Sequence, residues 1–249
     1  MKPQYPFPWA ILPILISAAL KAETRSFQVD SKRLLSNIYP PAVFIGNPEF
    51  SYNKPLLLTV NHYARPGFSI MWAVIAISSY IPMDVHWIMT NAWVYPNRIQ
   101  NMVLKPLSHI ILSEIAHIYK FTAMPPMPPM PADVANRAMA VRKIFGFIRK
   151  AKTQVIGMAP EGRDMAAGVL GWPPAGTGRL IFELSKKGFS ILPIGAYEEE
   201  DTLHIRFGEP YELIIPGEIP AIEIDKYVRL IIMHQIANYI PYSLRGDFS

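Results

Sequence analysis

Cysteine is missing from all 249 residues, so the chain can form no disulfide, no cysteine-ligated zinc site and no thiolate nucleophile. Charge is scarce: Asp, Glu, Lys and Arg make up 17% of the chain, against ~25% in an average soluble domain. No His-Glu-x-x-His metal motif, Gly-x-Ser-x-Gly elbow, Walker loop or Gly-x-Gly-x-x-Gly fingerprint occurs. His109 and His117 would stand ~12 Å apart along a helix, too far to share a metal, and no metal or cofactor is expected. No internal repeat appears at a period of 20–50 residues. Long apolar runs are lacking too. Pro3–Leu20 is uncharged for 18 residues, but Pro3, Pro6, Pro8 and Pro13 interrupt it, whereas a spanning helix needs ~20 apolar residues. Pro66–Met83 is also uncharged, and its helical part, about Ser69–Tyr80, has the length of a buried core helix.

What is abundant is apolar surface and proline. Hydrophobic residues are 51% of the chain, which excludes disorder. The 25 prolines are about twice the average ~5% and imply many stiff loops. The net charge is +5, but residues 131–190 carry +6 and residues 191–249 carry −6. A greasy, basic, weakly charged chain of this length points to one α/β domain working on a membrane surface or a lipid-like molecule. Aromatics are not interleaved with the basic residues, so nucleic acid is not an expected partner.

At the N-terminus, Lys2, Trp9–Ile16 and Ser17–Ala19 loosely fit a secretory signal, while the prolines favour an interfacial segment. Residues 1–36 are therefore expected to form an apolar, interfacial N-terminal segment ahead of a domain spanning 37–249.

Within that domain strand and helix alternate. Leu56–Val60 is a short apolar run of β-formers and reads as a buried strand, delivering Asn61 and His62 to a loop. Val134–Lys152 has apolar residues at helical spacing, and its other face carries Arg137, Arg142, Lys143, Arg149, Lys150 and Lys152. That basic face suits anionic lipid or an acidic carrier protein, or is simply solvated. Val155–Ala159 reads as a strand ending in Pro160-Glu161-Gly162-Arg163. Leu180–Lys187 reads as a helix, Phe189–Ile194 as a strand, Leu203–Phe207 as an edge strand and Ile222–Tyr239 as the closing helix. Met124–Pro131 (MPPMPPMP) is a stiff extended connector, possible as a lid. Gly176–Arg179 is a glycine-rich turn before a helix, either an anion site or an ordinary loop. The pattern predicts a mostly parallel sheet with helices on both faces, in which ligand sites gather beyond the carboxyl ends of strands. His62 and Glu161–Arg163 stand at two such ends. By itself His62 is either a general base or a hydrogen-bonded structural histidine.

Taken together these residues resemble a known superfamily. Leu57-Leu58-Thr59-Val60-Asn61-His62 is similar to the first motif of the glycerol-3-phosphate and lysophosphatidate (PlsC-like) acyltransferases. Val43–Glu49 is similar to the strand-and-glycine passage before it. Ala159-Pro160-Glu161-Gly162-Arg163 resembles their Phe-Pro-Glu-Gly-Thr-Arg motif, and Ile191-Leu192-Pro193-Ile194 their last motif, with matching order over about residues 40–215. The resemblance implies a glycerolipid acyltransferase-like α/β fold and transfer of a fatty acyl group from an acyl thioester to a hydroxyl of a glycerol-phosphate or lysolipid acceptor. It makes His62 the base and Glu161, Gly162 and Arg163 the acceptor-binding residues; Asn61 beside the base and Arg65, placed where it could replace a missing family arginine, are further candidates for substrate binding. Acyl-CoA or acyl-carrier protein would be the co-substrate, at the cytoplasmic face of a membrane, held peripherally or by a short N-terminal anchor. Three departures stand out: near Phe121–Pro126 only Lys120 is found where the family's middle motif supplies a phosphate-binding arginine, and the other two concern the first and second motifs. The family's aspartate five residues after the histidine is here Gly67, leaving Asp164 or Glu161 as carboxylates that could orient His62. The second motif lacks its threonine. The alternative implied is a relative that binds lipid or acyl carrier without turnover. Pro66-Gly67 suits a type II turn, with Ser69 as N-cap of the next helix.

Overall fold

A computed structural model describes residues 5, 9–21, 23–46, 48, 54–94, 97–128, 130–150, 154–164 and 168–249. In chain order its elements are α1 (Leu12–Leu20), α2 (Phe27–Leu35), β1 (Val43–Ile45), β2 (Leu56–Val60), α3 (Met71–Tyr80), β3 (His86–Thr90) and α4 (Arg98–Ile118). They continue with β4 (Thr122–Met124), α5 (Val134–Lys150), β5 (Val155–Met158), α6 (Thr177–Ser185), β6 (Ser190–Glu199), β7 (Thr202–Phe207) and α7 (Ile224–Ala237). The seven strands form one sheet in the order β1-β7-β6-β2-β5-β3-β4. Every pairing is parallel except β6 with β7.

Period-two alternation divides the core into two layers. In β2, Leu58 and Val60 face a cluster built from α1, α2, α3 and α4, through Leu15, Phe27, Ile75 and Leu112. Leu57 faces the opposite cluster, built from α5, α6 and α7 through Ile144, Ile181 and Ile232. Helices therefore cover both faces, as a central strand with apolar residues on both sides requires. Gly157 on β5 sits in register with Trp87 on β3. A Cβ there would lie 2.5 Å from the Trp87 ring, so only glycine lets the indole cross the strand.

Residues read as an N-terminal interfacial segment are integral to the first layer. Ile11, Leu15, Phe27 and Leu34 are buried in the same cluster as β2 and β6. Asp30, buried on α2, accepts from Arg25 Nε and Nη2 (2.7 and 2.6 Å) and from the Tyr119 hydroxyl (2.9 Å). This fully partnered buried carboxylate fastens the segment to the end of α4.

Several boundaries differ from expectation. β7 is not an edge strand: it lies between β6 and β1. It is reached through a two-residue turn whose Glu200 and Asp201 both have positive φ, the geometry that matches strand twist in a tight hairpin. β6 runs on to Glu199, five residues beyond the apolar run that marked it. α6 starts at Thr177, earlier than its apolar face suggested. Met124 closes β4 and Pro131 opens a short 3₁₀ turn, so both ends of the Pro-Met connector belong to regular elements, and Pro129 within it lies outside the described residues. Asn47 and Glu49 of the passage before β2, and residues 151–153 at the end of the α5 region, lie outside the described residues.

Candidate active site

β2 and β5 are parallel neighbours, with Thr59 level with Met158. Their carboxyl ends therefore release Asn61-His62 and Glu161-Gly162-Arg163 side by side, although about 100 residues separate the two motifs. This juxtaposition follows from topology alone.

Asn61 is buried. Its Nδ2 donates to the Ala196 carbonyl (2.8 Å) and its Oδ1 accepts from the Ala196 N–H (2.7 Å), extending the β2–β6 ladder through a side chain. Glu161 is 1% exposed. One carboxylate oxygen accepts from the His62 backbone N–H (2.5 Å) and the other from the Gly171 N–H (3.0 Å). Burial pushes the Glu161 pKa up, while these two amides pull it back. Neither residue presents its side chain to a guest molecule. Both fix the backbone that carries His62.

The His62 side chain is 17% exposed, and its Nδ1 lies 3.1 Å from Asp164 Oδ1. The carboxylate sits off the ring's donor axis, so the pair is close without being an aligned hydrogen bond. The imidazole holds the Asp164 carboxyl below its ordinary range, against some desolvation. With Nδ1 directed at Asp164, Nε2 is the nitrogen left to meet a substrate proton. Of the two carboxylates considered from sequence, Asp164 meets the ring and Glu161 meets the backbone.

Gly67, standing where the resembling family has its aspartate, has φ +82. Phe68 N–H donates to the Arg65 carbonyl (3.0 Å), which closes the expected turn through Pro66-Gly67. The Gly67 carbonyl accepts from Tyr5 N–H (2.6 Å). A side chain at 67 would be strained, so this loop is shaped to do without one. Ser69 Oγ accepts weakly from Met71 N–H (3.4 Å), and the N-cap position itself is Ile70.

Arg65, expected to meet a phosphate, forms a two-pronged pair with Glu198 at the end of β6 and donates to the Pro66 carbonyl (2.7 Å). Glu198 raises the Arg65 pKa. Arg65 therefore enters the site as half of a neutral pair. Arg163 is exposed, between Gly162 and Asp164, and makes no hydrogen bond or ion pair among the described residues. Gly162 has φ +65, and Met127 of the connector packs 3.4 Å from where its Cβ would be. Arg137 on α5 holds that connector through the Pro126 carbonyl (2.7 Å). The Gly176–Arg179 turn is already filled: Asp225 Oδ1 accepts from Gly176 and Arg179 N–H (3.0 and 2.9 Å). That leaves its helix N-terminus matched with an anion of its own chain.

No local signal singles out Glu198, which lies within the acidic stretch Glu198–Asp201. The assembled site offers an imidazole with a carboxylate close to its Nδ1, a rigid backbone bracket beneath it, and on the neighbouring turn an exposed arginine that makes no hydrogen bond or ion pair among the described residues. Such a group of residues can take a proton from a hydroxyl while holding an anion on the same molecule.

No family model matches the chain, and no curated protein matches it. Among solved structures it is similar to the crystal structure of the 1-acyl-sn-glycerophosphate (LPA) acyltransferase PlsC from Thermotoga maritima. The two are 13% identical over 90% of this chain and 80% of that one, with a TM-score of 0.48. A likeness of that degree leaves the chemistry to be judged from the site itself.

Proposed function

We propose that the protein is an acyltransferase that moves a fatty acyl group from a thioester to a hydroxyl of a glycerol-phosphate or lysolipid acceptor. The observation that carries this reading is the Asp164 carboxylate 3.1 Å from His62 Nδ1, at the meeting point of two motifs whose order resembles that superfamily. His62 Nε2 takes the acceptor's hydroxyl proton as the oxygen attacks the thioester carbonyl carbon. The new C–O bond forms, the C–S bond breaks, and the departing sulfur recovers the proton from the imidazolium. The products are an ester and a free thiol, so no oxidant, metal or cofactor is required.

In this reading Asp164 is a positioning residue for the ring, and Arg163 takes the acceptor's phosphate through its planar fork. Gly162, at positive φ, shapes the turn that carries Arg163. Glu161 and Asn61 act one step back, by fixing the His62 backbone. Arg65 takes part only as far as Glu198 releases it. The donor is acyl-CoA or acyl-carrier protein. The protein works peripherally at the cytoplasmic face of a membrane; among the described residues no helix is long and apolar enough to cross one.

The test is thiol release from long-chain acyl-CoA across a panel of glycerol-phosphate and lysolipid acceptors. Wild type is expected to turn over with at least one acceptor, and His62→Ala to fall to background. Turnover that survives His62→Ala removes the base assignment. Binding of lipid by both proteins with turnover by neither replaces transfer with a non-catalytic role.

A further inference from the structure

The first three turns of α4 are built inside out. Ile99, Met102, Val103, Leu107 and Ile110 recur at helical spacing and are 52–72% exposed. The inward side of the same turns is polar: Asn101 and Lys105 are half-buried, and Ser108 is buried, accepting from Trp93 N–H (3.0 Å). Below this stretch the helix reverts to the ordinary pattern, with Leu112 and Ile115 in the core. An amphipathic helix normally turns its apolar stripe inward, so these residues are not placed for packing in their own domain.

Their location narrows what they meet. α4 begins eight residues after β3 ends, so the inverted turns rise from the carboxyl end of the sheet, where His62 and Glu161 emerge. On the opposite face of the sheet, Met130, Val134 and Met139 are exposed where the chain leaves the β4 end and begins α5. Two elements on opposite sheet faces thus present apolar side chains at one end of the molecule. That suits a broad surface better than a groove for a single helix. Charge agrees: residues 94–110 and the first turns of α5 with the approach to them, 130–143, carry Arg98, Lys105, Arg137, Arg142 and Lys143 against one acidic residue, Asp133. Apolar residues flanked by cations match the acyl and headgroup levels of an anionic leaflet.

We propose that the first turns of α4, with the beginning of α5, form the face by which this protein lies on an anionic lipid bilayer, the His62 end of the sheet turned toward the leaflet. The proposal rests on the acyl-transfer reading only for the identity of the guest drawn from that leaflet.

Vesicle flotation of the full chain tests it independently of turnover. On vesicles of 30% phosphatidylglycerol in phosphatidylcholine, wild type is expected to float, and less so on phosphatidylcholine alone. Val103→Glu/Leu107→Glu, both at exposed positions, should bind about tenfold or more weakly with an unchanged melting temperature. Ile214→Glu, exposed in the loop after β7 beside the amino end of β6, should bind as wild type. On a water-soluble short-chain acyl donor and a soluble acceptor, the double variant should match wild type. Loss there too would mean that the substitutions disturb the crevice and would overturn the assignment. Equal flotation on both vesicle types overturns the anionic leaflet as occupant. Flotation by the double variant equal to wild type, a matching loss in Ile214→Glu, or no flotation of wild type overturns the face. A wild-type dimer that the double variant converts to monomer would assign the face to a second copy and overturn the proposal. Wild-type flotation without any turnover leaves the docking face standing and removes the acyl-transfer reading.

Discussion

Glu161→Gln separates two roles that the sequence alone confuses. In the structure both Glu161 oxygens accept backbone N–H groups, from His62 at 2.5 Å and Gly171 at 3.0 Å, with the residue 1% exposed. Glutamine preserves the shape but offers one acceptor, so one N–H is left facing an NH₂ group. A buried donor without a partner costs ~1–3 kcal/mol, and the surviving bond weakens from charged to neutral by about 1 kcal/mol. Relief from burying a charge offsets part of this, which leaves a net loss of about 2 kcal/mol. For a chain of this size that is a fall in Tm of roughly 4–8 °C. The assay is urea unfolding of wild type, Glu161→Gln and Glu161→Ala, with the midpoint expected to shift and the slope to stay constant. Alanine, stranding both amides, should lose about 4 kcal/mol. Turnover should fall in kcat more than it rises in KM, because the His62 backbone loses its bracket. A Glu161→Gln protein within about 0.5 kcal/mol of wild type, with KM for the acceptor raised, refutes the bracket and makes Glu161 an acceptor ligand as the motif suggested.

Asp164→Asn should lower kcat about 10- to 100-fold with little change in KM, and Asp164→Glu should recover part of it. The effect stays below the ~10⁴ of a buried triad carboxylate because this side chain is 75% exposed and screened; an unchanged kcat rules out the positioning role. His86, buried, 2.8 Å from Thr122 Oγ1 and stacked on Phe147, has its pKa lowered from 6.5 to about 4 by desolvation. The folded state thus binds fewer protons than the unfolded one between these values, and stability drains away as pH falls through that window. The loss between pH 7.5 and 5 is about 2 kcal/mol. Urea midpoints at both pH values should show it in wild type and not in His86→Phe; equal slopes in the two proteins would contradict it. Gly157→Ala should lose about 3 kcal/mol or more, read by thermal melting, since its Cβ meets the Trp87 ring at 2.5 Å.

Legibility in the sequence followed the physics of each element. β2, α3 and β5 were readable because a fully buried strand or core helix is continuously apolar, and the parallel sheet followed from alternation. α4 was not, because Pro106 interrupts its pattern and its first turns carry their apolar residues outward. β7 passed for an edge strand because no local signal tells that β1 pairs along its outer side. At the site, His62 and the Glu-Gly-Arg motif were visible as residues, yet the partners of each were not. The Arg65–Glu198 pair spans 133 positions, and whether Glu161 meets substrate or amide depends on how deeply the β5 turn is buried. Asp164 and Glu161 are equivalent candidates in sequence, and only three-dimensional placement distinguishes them.

The left-handed Gly67 and the carboxylate at 164 make the His62–Asp164 pair hostage to tertiary assembly. Were imidazole and acid to sit in one short loop, a loosened domain would keep them acquainted. Here they arrive on separate strands, so partial opening around the 168–171 bracket would disband the pair while most of the sheet persists. Activity should therefore vanish earlier than far-ultraviolet dichroism along a denaturant series, and grafting the first motif alone into another scaffold should yield an inert histidine.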